Sequence, residues 1–204
     1  MGLLSSSVSI TRYNIIGDIK KPVIETITNS LTKFGIQEID GDHSEKIAGW
    51  TSFLNPFLPE FKDSSFLIGS YLVFSMRLDK KAIPPKVINK YCTIEMANTL
   101  GKTGREYLSR NEKKSIKENI IDALSLRIPA TPHIYDVIWH LEESWLWFFS
   151  NLKTANEELE ILFQNSFNLR LIRMFPYTSA NLMAGLSNNE KDLLHKLSPT
   201  NFLE

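Results

Sequence analysis

Residues 133–150, HIYDVIWHLEESWLWFFS, constrain the fold more than any other stretch of the chain. Two runs rich in Ile, Val, Tyr, Trp and Phe flank Glu142-Glu143-Ser144. β-branched and aromatic runs separated by a few polar turn residues predict a β-hairpin, and a hairpin makes its strands antiparallel. In the second run Trp145, Trp147 and Phe149 alternate with Leu146 and Phe148, so both faces of that strand are apolar. Such a strand belongs in the interior of a sheet. Its aromatics, with Trp139, are expected in the core and not open for stacking against bases.

The rest of the chain falls into place around this hairpin. VSITRYNI (8–15) alternates and is β-branched, which predicts a strand. In KPVIETITNSLTKFG (21–35), Val23, Ile24, Ile27, Leu31 and Phe34 recur at helical spacing, and Gly35 ends the stripe. Residues 36–65 are irregular apart from a short strand around IAGWTSF; SFLIGSYLVFSMRLD (65–79) is a strand with a break at Gly69-Ser70. IPPKVINKYCTIEMANTLG opens with prolines and closes at Gly101, and KKSIKENIIDALSL follows Ser109 and Glu112, an S-x-x-E capping box. Beyond the hairpin come a helix (TANEELEILFQNSF), a strand (LRLIRMFP), a polar stretch after Pro176, and another S-x-x-E helix (LSNNEKDLLHKL). This order predicts an α+β fold of antiparallel sheets with packed helices, not a doubly wound parallel sheet. Residues 1–180 are read as the main α+β region and 181–204 as a C-terminal helical segment.

Charge is balanced overall, with 23 basic and 23 acidic residues. Locally it is not. Between Lys102 and Lys117 stand Lys102, Arg105, Arg110, Lys113, Lys114 and Lys117 against Glu106 and Glu112 only. Arg110, Lys113, Lys114 and Lys117 follow one another at i, i+3, i+4 and i+7, a continuous helical stripe. The stripe is expected on the face away from Ile116, Ile120, Ala123 and Leu124. Lysine and arginine at that spacing suit a phosphate backbone, with no base-reading pattern among them. The triplet Gly101-Lys102-Thr103 ends like a phosphate-binding P-loop, but Met96 stands where the loop needs its first glycine, and the preceding residues are helical, not a strand.

In order along the chain, GWTSFL, YLVFSMRLDKKAIPPKVINKY and GREYLSRNEKKSIKENIIDALSLRIP resemble segments of the recombination-associated RdgC family. The matching residues are Gly49, Trp50, Lys81, Pro84, Val87, Ile88, Arg105, Leu108, Arg110, Glu112, Lys113, Ile116 and Lys117, and the resemblance runs from about residue 8 to about residue 177. It implies a non-enzymatic homodimer that closes a ring around double-stranded DNA with little sequence preference and restrains a recombinase. Single-stranded DNA is a further ligand it allows. The implied DNA-binding residues are Lys102, Arg105, Arg110, Lys113, Lys114, Lys117 and Arg127. At the turn where the family carries Ala-Phe, this chain has Ile128-Pro129, so the finger contact there differs. Family members are longer, and their C-terminal part contributes to the dimer. The ending Phe202-Leu203-Glu204 therefore reads as a truncated chain or a naturally short relative.

Other classes find less support. No apolar run approaches the roughly 18 residues of a membrane span, so a cytoplasmic protein is expected, and the resemblance implies that it is nucleoid-associated. The single cysteine, Cys92, excludes an internal disulfide and a cysteine-rich zinc site. His43, His133, His140 and His195 are scattered, and no carboxylates gather as a magnesium nuclease requires. No cofactor is expected. The alternatives are a magnesium-dependent exonuclease, or a protein-interaction module without DNA binding.

Overall fold

The computed structural model describes residues 2–61 and 65–198. Its longest strands are β4 (Tyr71–Lys80) and β5 (Thr131–His140), which pair antiparallel from Tyr71↔His140 to Lys80↔Thr131. Around them stand β1 (Thr11–Ile16), β2 (Lys46–Thr51), β3 (Leu67–Ile68), β6 (Trp145–Phe148) and β7 (Arg170–Arg173). The sheet runs β2-β4-β5-β6-β1-β7, with β3 beside β4 across the Gly69-Ser70 break, and every strand pair is antiparallel. With six helices among the described residues this is the α+β architecture expected from the element order.

Side chains alternate across the sheet, and the two faces differ. On one face Tyr13, Leu72, Phe74, Met76, Val137, Trp139, Leu146 and Phe148 are buried under α1 (Val23–Lys33) and α4 (Lys153–Phe167). These helices contribute Ile27 and Leu31, and Leu159, Phe163 and Phe167. Each such large side chain removed from water contributes roughly 1.5–3 kcal/mol. Trp50 lies at the centre with no exposure, edge-on to Phe74 at 5.1 Å, and its indole N–H donates to Ser166 Oγ at 2.8 Å. Ser166 in turn donates to the Leu162 carbonyl at 2.7 Å, so the buried pair is satisfied.

Beside Trp50 the backbone crosses itself. Trp50 N–H donates to the Phe34 carbonyl and Ile36 N–H to the Trp50 carbonyl, both at 2.9 Å. A Cβ on Gly49 would stand 2.4 Å from Ile36 Cα, so only glycine fits at this crossing.

Three sequence expectations are corrected. The first arm helix, α2 (Pro85–Thr103), runs past Gly101; its left-handed stop is Gly104, at φ 63°. The polar stretch after Pro176 is helical, α5 (Pro176–Met183), with Pro176 in its first turn. The second face of β6 is not core. Trp139, Phe148 and Phe149 are buried as expected, but Trp145 is only half-buried and Trp147 is 38% exposed. Both core helices lie on the other side, and at β6 the outward face borders a hollow lined also by Ser179 of α5. Phe202 and Leu203, on which truncation turns, lie outside the described residues.

Candidate nucleic-acid interface

After β4 the chain leaves the sheet for two consecutive helices, α2 and α3 (Arg110–Ser125), before returning as β5. The two pack chiefly on each other, with Cys92 and Leu124 buried and Ile116, Ile120 and Ile121 half-buried. They form an arm beside the sheet. Helix α3 starts sharply because Ser109 and Glu112 make the capping box read from sequence: the Glu112 N–H donates to Ser109 Oγ, and the Ser109 N–H to the Glu112 carboxylate. At the arm's base the Lys81 ammonium donates to the carbonyls of Asp42 (2.6 Å) and Ser125 (2.9 Å).

The seven basic residues singled out from sequence are all exposed. Lys102 lies in the last turn of α2, Arg105 in the connection, and Arg110, Lys113, Lys114 and Lys117 on the first half of α3, so six gather toward the arm's tip. Arg127 lies beyond the other end of α3, roughly 24 Å along the axis from the tip, and is not part of that cluster. Two of the six are already paired. Arg105 bonds Glu112 at 2.6 Å, and Lys114 stands 3.7 Å from Glu118. Lys102, Arg110, Lys113 and Lys117 have no ion-pair partner among the described residues. Arg105, with the Ser109 N–H and hydroxyl, holds the Glu112 carboxyl down at about 2.

The stripe is not set opposite the apolar residues, as the sequence reading had it. Lys113 and Ile120, and Lys117 and Leu124, are seven residues apart and so share one line along the helix. That line is basic in the N-terminal half of α3 and apolar in the C-terminal half. The Gly101-Lys102-Thr103 triplet is helical throughout and forms no phosphate-cradling loop.

The outward sheet face holds a second set of exposed groups. At the β2–β4 side it is closed by Arg77, bound to Asp79 and Glu38 beneath the Phe57 ring, and by the Leu3 N–H on Asp136. Toward the middle it carries a row of aromatics across three strands: Tyr71 on β4, His140 on β5 and Trp145 on β6, then Trp147 along β6. His140 and Trp145 stack at 5.4 Å and 15°, and Trp145 and Trp147 at 4.9 Å and 30°. The next strand sets Arg12 opposite Trp147 and Asn14 opposite Trp145. Both tryptophans could be read as outward-facing only if the apolar alternation of β6 is divided between a covered and an open face, and composition does not carry that information.

Among the described residues no group of three or more His, Cys, Asp or Glu could hold a metal ion, and no helix is long and apolar enough to cross a membrane.

An antiparallel sheet whose core helices cover one face, interrupted by a helical arm with six exposed basic residues toward its tip, defines the α+β architecture of this protein. The chain belongs to the RdgC family: the family's model, described as "Putative exonuclease, RdgC", matches residues 9–185. No curated protein matches the chain.

Proposed function

We propose that the protein binds double-stranded DNA without sequence preference through the tip of the α2–α3 arm, and works as a homodimer that encircles or coats the duplex to modulate recombination. The observation that carries this reading is the set of unpaired cations Lys102, Arg110, Lys113 and Lys117 on an arm whose helices pack chiefly on each other. From Arg110 to Lys117 the helix rises roughly 10 Å, about three steps of one DNA strand at 3.4 Å each. Phosphate contacts of this kind release counterions and carry no base information. The protein acts on nucleoid DNA without cleaving it, and a recombinase is the process partner this mode of binding would hinder. The family's description favours a second reading, a metal-dependent exonuclease.

One experiment separates them. Wild type should bind duplex with affinity that falls steeply with salt, and the double reversal Lys113→Glu/Lys117→Glu should lower the slope of log K against log salt by about 2. Reversal of Lys20 and Lys21, outside the arm, should bind as wild type. Flat salt dependence, or equal binding by both reversals, refutes the arm. Cleavage in magnesium or manganese that one carboxylate substitution abolishes establishes the nuclease. Sedimentation of the protein with and without duplex tests the dimer.

A further inference from the structure

We infer that the outward face of the sheet is a second nucleic-acid site, one that takes the unpaired bases of a single strand. Four observations converge there. The row Tyr71, His140, Trp145, Trp147 ends at an indole whose only ring neighbour among the described residues is Trp145, and Trp147 is 38% exposed. Large amphipathic rings left on a sheet face are the platform on which bases of any sequence stack. Beside Trp147 and Trp145, the register of β1 sets a guanidinium and an amide, Arg12 and Asn14, and neither side chain has a hydrogen-bond or ion-pair partner among the described residues. These are the groups that bond base edges and phosphates.

The charge also fits a polyanion. Arg170 on β7 is exposed, has no ion-pair partner among the described residues and lies on the same face as Arg12, since it stands opposite Ile16, four residues along β1 from Arg12. Finally, a hollow of about 370 Å³ lies between Arg12, Asn14, Glu143, Trp145, Trp147 and Ser179, large enough for a nucleobase with its sugar. Glu143, the one carboxylate lining it, already accepts the Trp145 indole N–H at 2.6 Å. A duplex keeps its bases stacked inside and cannot use such a surface. This site is distinct from the arm, and its test is run with the arm disabled.

In the Lys113→Glu/Lys117→Glu background, three probes of equal length are titrated against tryptophan fluorescence: an oligothymidylate, an abasic strand and a duplex. The oligothymidylate should bind and quench, while the other two should bind at least tenfold more weakly. Trp147→Ala should weaken oligothymidylate binding by about tenfold or more, the effect of losing one stacked base. Trp147→Phe should retain most of it, and Arg12→Ala should flatten the salt dependence. Circular dichroism confirms the fold of each variant, and Trp147→Phe with Arg12→Ala decides the matter should Trp147→Ala unfold. Absent binding, equal binding of the abasic strand, or binding indifferent to Trp147 and Arg12 overturns the inference. So does self-association that depends on Trp147 while the oligothymidylate has no effect, which would make the face a contact between two copies of the chain.

Discussion

Substituting alanine at Gly49 and at Gly101 adds the same methyl group and should have opposite effects. At Gly49 the new carbon would lie 2.4 Å from Ile36 Cα, 2.5 Å from Ile36 N and 2.9 Å from the Gly35 carbonyl carbon. All three are backbone atoms, so no side chain can swing aside. Ordinary contact begins near 3.4 Å, and the crossing must open by about 1 Å to reach it. That opening stretches the two 2.9 Å hydrogen bonds that tie Phe34 and Ile36 to Trp50, and it loosens the packing around the fully buried indole. Overpacking costs about 1–3 kcal/mol and each weakened buried bond about 1 kcal/mol, for a total of about 3–5 kcal/mol. Against a typical stability of about 5–15 kcal/mol, a domain of this size should lose roughly 6–20 °C in Tm. At Gly101 a Cβ meets nothing within 4 Å, and the residue lies inside α2. Alanine there should stabilise that helix by roughly 0.5–1 kcal/mol. Urea denaturation measures the first effect and amide exchange along α2 the second. A Gly49→Ala protein within about 1 kcal/mol of wild type would refute the reading of the crossing.

Two further outcomes follow from the described contacts. The Glu112 carboxyl should titrate near 2 instead of its ordinary 4.5, because Arg105 and the Ser109 cap bond its charged form. Being depressed in the folded chain, it stabilises the start of α3 fully above pH 4.5 and loses that contribution as pH falls toward 2. Arg105→Ala should move the midpoint up, and a carboxyl NMR titration showing a wild-type midpoint near 4.5 would contradict the geometry. Ser166→Ala strands the indole N–H of Trp50 in the core and should cost about 1–3 kcal/mol by urea denaturation, whereas an unchanged midpoint would mean the 2.8 Å bond is not made.

Local chemistry made most elements legible. Gly69-Ser70 marked the β3–β4 break, and Ser109 with Glu112, like Ser187 with Glu190, marked helix starts that the structure contains as capping boxes. Helix α5 escaped because PYTSANLM has no apolar periodicity, so only Pro176 in its first turn pointed to it. Gly101 looked like a helix stop because glycine is costly inside helices, yet Gly104 three residues on was the one able to take the left-handed conformation at no steric cost. The basic residues of the arm were readable one by one. Their spacing against Ile120 and Leu124 was misjudged, and which of them are neutralised depends on side-chain reach, as with Arg105 and Glu112. The outward face of β6 was hidden for a different reason. An apolar alternation states that a strand has two greasy faces, but which one the helices cover is decided by how α1, more than a hundred residues earlier, and α4, just after the strand, pack in three dimensions.

The strand order bears on how the chain is assembled in time. Among the described strands β1 is synthesised first, yet both its neighbours, β6 and β7, come last. Nascent β1 therefore has no partner while β2, β4 and β5 can already zip together, and Tyr13 and Ile15 find no strand to pair beside until Trp145–Phe148 has left the ribosome. Such late, long-range closure slows folding, since the loop must be closed before its contacts repay the entropy. A ribosome stalled before β7 would hold β1 against β6 alone, and release of β7 would cover the remaining edge of β1.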